Sequence, residues 1–129
     1  MGRLGIILFA SLIALNTNAG LESCKNLSKQ VDLNTCASSA LKESNNKFNK
    51  VYVGYLRELS PNEQTMLKNS QRLWVQFRDK DCEFESSPVK NGSMFTYVNS
   101  VCLIEKADKR ILELSNMSDC KKGTEPSCI

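Results

Sequence analysis

The chain is 129 residues long, carries six cysteines and no histidine, and has a formal net charge of +3. The lack of histidine removes the commonest general base and the commonest metal ligand. So small a charge excess excludes electrostatic capture of nucleic acid or of an anionic membrane surface as an organising function.

Met1-Gly2-Arg3 supplies one positive charge, Leu4 to Leu15 is almost wholly apolar, and Thr17 and Ala19 are small residues where a signal peptidase reads. These are the three parts of a secretory signal peptide, expected over residues 1–19. The apolar run is shorter than the roughly 20 residues a membrane span requires. A lipid-anchored alternative fails at Leu21-Glu22-Ser23-Cys24, where Glu22 stands in place of a small or hydroxyl residue. Removing the leader leaves 110 of 129 residues and takes 17 basic residues to 16 against 14 acidic, a net charge of +2. The remainder, 20–129, is one domain by length. It holds no second apolar run, and the expected location is the periplasm or the exterior.

All six cysteines lie beyond the leader: Cys24, Cys36, Cys82, Cys102, Cys120 and Cys128. An even set in an exported chain of this size reads as a disulfide framework. It supplements a core that is marginal at this length.

From Leu33 to Leu59 the apolar positions recur in steps of three and four, including Cys36, Ala37, Ala40, Leu41, Phe48, Tyr52 and Leu56. That spacing predicts a helix of nearly seven turns, with Asp32 as its N-cap. Ser60-Pro61-Asn62-Glu63 is a capping box with proline at the first helical position, so a second helix is expected to start at Pro61. Its inner stripe is expected at Leu67, Ser70, Trp74, Phe77, Asp81 and Phe84. Residues 86–93 contain Pro88 and Asn91-Gly92 and predict a break. A third helix follows, capped by Ser93, with Val98, Val101, Cys102, Glu105, Asp108, Ile111 and Leu112 on one face. After Asn116 the chain reads as an irregular polar tail. Short connections make neighbouring helices antiparallel, so the expectation is an all-α, disulfide-stapled, up-down-up three-helix bundle.

This topology limits the pairings. Cys120 and Cys128 lie past the far end of the third helix, whereas Cys24, Cys36, Cys82 and Cys102 gather at the opposite end. Bridged Cα atoms sit within about 7 Å, so Cys120 is expected to pair with Cys128. Three pairings of the other four remain, and Cys24–Cys36 with Cys82–Cys102 is preferred because each closes a local loop.

Chemistry is sparsely signalled. No Cys-x-x-Cys pair or phosphate-binding glycine loop exists, and no cofactor or metal is expected. Asp79, Asp81, Glu83 and Glu85 could supply a carboxylate pair for glycoside hydrolysis. Helical geometry, however, puts Asp79 with Glu83 on one face and Asp81 with Glu85 on another. A solvated helix end is the simpler reading, and no catalytic residue is assigned. Trp74 and Arg78, one turn apart, are expected to stack, with Arg78 paired to a carboxylate.

Gln30-Val31-Asp32-Leu33-Asn34-Thr35-Cys36-Ala37 resembles the opening motif of the LprI-type lysozyme-inhibitor family of small secreted bacterial proteins. Phe48-Asn49-Lys50-Val51-Tyr52 follows in order. Gln71-Arg72-Leu73-Trp74-Val75-Gln76-Phe77-Arg78-Asp79-Lys80-Asp81-Cys82 resembles the family's hallmark. Gly92-Ser93, Cys102-Leu103 and Arg110 resemble its third segment. The motif residues are thus Gln71, Trp74, Arg78, Asp79, Cys82, Cys102, Leu103 and Arg110. Asn91 replaces a usual glycine, and Lys106-Ala107 a usual Leu-Thr. The resemblance implies an α-helical, disulfide-stapled envelope protein of a family with a branch that binds and blocks lysozyme; the chain is expected to be a monomer and, without histidine or a free thiol, not an enzyme. An envelope interaction protein with another protein partner is the alternative. A net charge of +2 offers no long-range attraction to a basic lysozyme.

Overall fold

A computed structural model of the chain describes residues 19–123. Its elements are α1 (Ala19–Cys24), α2 (Gln30–Arg57), α3 (Pro61–Glu85), a 3-10 turn at Ser87–Val89, and α4 (Phe95–Lys122). The three long helices are those the spacing predicts, and the fold is all-α. All of the expected leader but its last residue, and Cys128, fall outside the described residues.

The helix ends show where local chemistry decides and where it does not. At the start of α3 both bonds of the capping box form: Glu63 N donates to Ser60 Oγ at 3.4 Å, and Ser60 N donates to Glu63 Oε2 at 2.8 Å. By contrast α2 begins after Lys29, which makes no side-chain cap bond. Asp32 is not the cap; it lies in the first turn, where its charge meets the positive end of the helix dipole. Nor does Ser93 cap α4, which begins after Met94. The Ser93 carbonyl accepts from Asn34 Nδ2 at 2.8 Å instead, joining the starts of α2 and α4.

The expected irregular tail after Asn116 is corrected: α4 continues to Lys122 and ends where Gly123 adopts φ 71°. No glycine or proline interrupts 116–122, and the final turn is held by partners. Ser118 Oγ donates to Glu58 Oε2 at 2.6 Å, Lys122 pairs with Glu58 at 2.8 Å, and Lys121 pairs with Glu63 at 2.8 Å. These contacts, with Asn34 to Ser93 at the other end, make α2 and α4 parallel and α3 antiparallel to both.

The core lies between α2 and α4. Ala37, Ala40 and Ser44 on α2 and Ser100, Ile104, Ala107, Ile111 and Leu114 on α4 are buried, and the small residues allow close approach of the helices. Glu105 and Leu112, expected on this face, are exposed. The unforeseen α1 covers one end, where Leu21 joins Ala37, Ala40 and Ile104. It approaches so closely that a Cβ on Gly20 would lie 3.2 Å from that of Ala40.

The preferred pairing forms. Cys24–Cys36 and Cys82–Cys102 have Cα separations of 5.7 and 5.6 Å. Cys120 is also disulfide-bonded, although its expected partner is not among the described residues.

Candidate functional site

The second long helix turns a different face inward from the one its apolar residues suggest. Ser70, Phe77 and Phe84 are not part of the inner stripe: all three are exposed, Phe77 by 62% and Phe84 by 75%. The packed face carries Leu67, Gln71, Trp74, Val75, Arg78 and Cys82. Cys82 is fully buried because it must reach Cys102 on α4. Counting back from it in steps of four and three gives Arg78, Val75 or Trp74, Gln71 and Leu67. The cysteine therefore carries the phase signal that the aromatic residues obscure.

On this face Trp74 is the meeting point of three helices. Its indole stacks on Phe48 of α2, with ring centroids 5.5 Å apart and planes 14° from parallel. The guanidinium carbons of Arg78 and of Arg110, on α4, lie 5.4 and 5.8 Å from the indole centroid. Contacts of this kind contribute about 0.5–2 kcal/mol each, more as water is excluded. The flanking bonds aim the cations. Arg78 donates through Nε and Nη2 to Asp79 Oδ1 at 2.8 and 2.7 Å, and Arg110 donates to Gln71 Oε1 at 3.3 Å and to Glu113 at 2.8 Å. The structure thus joins Gln71, Trp74, Arg78 and Arg110 in one cluster, with Asp79 at its edge. Cys82 and Cys102 bond nearer the end of the bundle, and Leu103 is half-buried beside that bridge.

The acidic segment divides as its spacing requires. Asp81 and Glu85 both pair with Lys106, at 2.5 and 3.0 Å, while Glu83 pairs with Lys80 at 2.9 Å and Lys90 at 3.0 Å. The Lys80 and Lys90 hydrogen bonds hold the Glu83 carboxyl down to about 2, too low for a general acid near neutral pH. Each of the four carboxylates has a cationic partner, so the segment is an ion-pair network. Among the described residues no group of three acids or cysteines could hold a metal ion.

Beyond Glu85 the break at 86–93 is ordered. Buried Ser86 donates its hydroxyl to the Cys82 carbonyl at 2.6 Å. Backbone bonds run from Val89 to Ser86, Lys90 to Ser87, and Gly92 to Val89. Asn34 binds the Ser93 carbonyl and Glu83 holds Lys90. This leaves an exposed tip at Ser87, Pro88, Lys90, Asn91, Gly92 and Ser93 on a base braced by Cys82–Cys102.

Among the described residues one buried acid lies outside every motif. Asp108 is 6% exposed, and neither carboxylate oxygen has a hydrogen-bond partner. Burial raises its pKa, Lys47 opposes that, and Glu105 adds to it.

The described residues form an all-helical frame stapled by disulfides, with the motif cluster part-way along the bundle and the braced turn at one end. The chain belongs to the LprI lysozyme-inhibitor family, whose sequence model matches residues 22–114. A protein of Rhizobium meliloti (strain 1021), described as uncharacterized, is 28% identical over 109 residues, 74% of this chain and 78% of its own. No solved structure matches. No helix among the described residues is long and apolar enough to cross a membrane.

Proposed function

We propose that the protein is an exported, non-enzymatic inhibitor that binds a lysozyme in the periplasm or outside the cell, with the 86–93 turn entering the sugar-binding cleft. Family membership supports the partner, and the disulfides fit an oxidising compartment. The ordered, exposed turn is the observation that carries the mode of binding.

A glycosidase cleft presents a pair of carboxylates. The exposed tip offers donors to such a pair: the Asn91 amide and the Lys90 ammonium, which has N–H bonds to spare beyond the one to Glu83. A net charge of +3 over the chain gives no long-range steering toward a basic enzyme, but complementarity inside the cleft is a local matter. Because the turn is braced before binding, little conformational entropy is lost on insertion. The motif cluster around Trp74 then serves the scaffold, and the departure at Asn91 falls where partner choice is made.

The test is peptidoglycan turnover by a panel of lysozymes with the oxidised protein in molar excess. Inhibition of at least one enzyme is expected, and Lys90→Glu with Asn91→Asp is expected to weaken it by about 10-fold or more, on the order of the loss of one charge-assisted contact. A protein that slows none of the enzymes sinks the reading. Full inhibition by the double variant would leave inhibition standing and remove the turn from it.

A further inference from the structure

The outward line of apolar residues on α3 has a regularity that core packing does not require. Met66, Leu73, Phe77 and Phe84 fall at i, i+7, i+11 and i+18. At 3.6 residues per turn all four project within about 20° of one direction, along about 27 Å of helix. They are 64%, 58%, 62% and 75% exposed. The spacing is also palindromic about Val75: Met66 and Phe84 stand nine positions to either side, and Leu73 and Phe77 two.

We propose that this line is a two-fold interface between two copies of the chain, formed by antiparallel α3 helices crossing at the level of Val75. In that register Leu73 meets Phe77 of the second copy, and Met66 meets its Phe84. Both contacts are repeated by symmetry, as an isologous interface demands. The hollow next to Met66 supplies the socket. It has a volume of about 340 Å³, with Tyr55, Leu59, Leu67 and Met117 supplying most of its walls and Glu63 and Ser70 the rest. A closed apolar cavity of about 150 Å³ already takes benzene, so the ring of Phe84 from the second copy has room there.

The flanks of the line agree with this occupant. Antiparallel pairing brings Ser70 beside Asp81 of the second copy, and Asn69 beside its Lys80. Each pair offers a donor to an acceptor. A strongly acidic or basic partner would meet one attractive and one repulsive flank. One helix pair of this length buries on the order of 1,000 Å², the lower end for specific association. The dimer is therefore reversible, with a dissociation constant around 1–100 µM. It departs from the monomer that the sequence suggests, and it does not depend on lysozyme inhibition.

Sedimentation equilibrium of the oxidised protein, as the cell processes it, tests the proposal. Dimer is expected to populate as concentration rises through the micromolar range. Leu73→Lys and Phe77→Glu, each at an exposed position, are each expected to weaken association by about 10-fold or more. Circular dichroism and melting in dilute solution check that both fold. Mixing the two variants separates this register from any other. Lys at 73 of one chain then faces Glu at 77 of the other, while the native Leu73–Phe77 contact survives on the opposite side, so heterodimer is expected to recover. Wild-type protein that stays monomeric up to about 500 µM overturns the proposal. So do variants that associate like wild type, or a mixture that recovers nothing. Variants that dimerise normally but no longer inhibit a lysozyme would assign the line to that enzyme instead.

Discussion

Trp74 and Phe77 are three positions apart on one helix, and their side chains have opposite fates. The indole is enclosed by Phe48, Arg78 and Arg110, whereas the Phe77 ring is mostly in water. Trp74→Ala removes the half-buried ring on which Phe48 and two guanidinium groups stack, so a loss of about 2 kcal/mol is expected, below the range for a fully buried ring. Phe77→Ala, measured where the protein is monomeric, is expected to change stability by less than about 0.5 kcal/mol. Urea unfolding of the two variants gives the comparison, and equal losses would mean that Trp74 does not join the helices. Asp108 makes a second residue-scale prediction. Its folded pKa lies above the unfolded value of 3.8, so no penalty for burying a charge applies while both states are protonated. The penalty grows as pH rises from the unfolded to the folded pKa and is complete above that. Asp108→Asn is thus expected to stabilise the protein near neutral pH, by about 1–2 kcal/mol, and to match wild type in strong acid. A gain that persists in acid would point to something other than ionisation.

Among the helices, α3 is the one whose existence is legible in the sequence and whose orientation is not. Ser60-Pro61-Asn62-Glu63 determines its start through bonds within four residues, and the structure has both of them. Its facing depends on partners far away in sequence. The period of 3.6 fits the packed set from Leu67 to Cys82 and the outward set from Met66 to Phe84 equally well. Hydrophobicity favours the wrong one, because Gln71 and Arg78 face inward to hold Arg110 and Trp74. The tail escapes local reading for a related reason: its polar residues are held as helix by Glu58 and Glu63 from the α2–α3 junction. The capping box leads to a prediction at this scale. Ser60→Ala is expected to cost about 1 kcal/mol by thermal unfolding. Glu63 adds a pH signature, since the Lys121 bond, then those to Ser60, hold its carboxyl down to about 2 against 4.5 for the free group. A carboxylate with a lowered pKa stabilises the fold above the unfolded value, and that support disappears as pH falls through the folded one. The stability gap between wild type and Glu63→Gln is expected to be widest above pH 4.5 and to close towards about 2. A gap independent of pH would show that the Lys121 pair does not matter.

At the scale of the molecule the two bridges have unequal tasks. Cys24–Cys36 ties the short α1 to α2, whereas Cys82–Cys102 ties the whole of α3 to α4. The buried residues of α3 are Gln71 and Cys82 alone among those described, while α4 buries eight. Apart from the bridge, α3 is retained by the Trp74 cluster and by ion pairs with much of their surface in water, which contribute little individually. A bridge closing about 15 residues is worth roughly 3 kcal/mol, a large share of the stability of a domain this size. Replacing Cys82 and Cys102 together by serine is therefore expected to lower the melting temperature more than replacing Cys24 and Cys36. The character of the loss should also differ. Hydrogen exchange should show the amides of α3 losing protection first while α2 and α4 stay paired, because local stability follows local burial. Loss of the Cys24–Cys36 bridge should expose α1 and spare the rest. Uniform loss of protection across all helices in the Cys82/Cys102 variant would show that α3 is integral to the core.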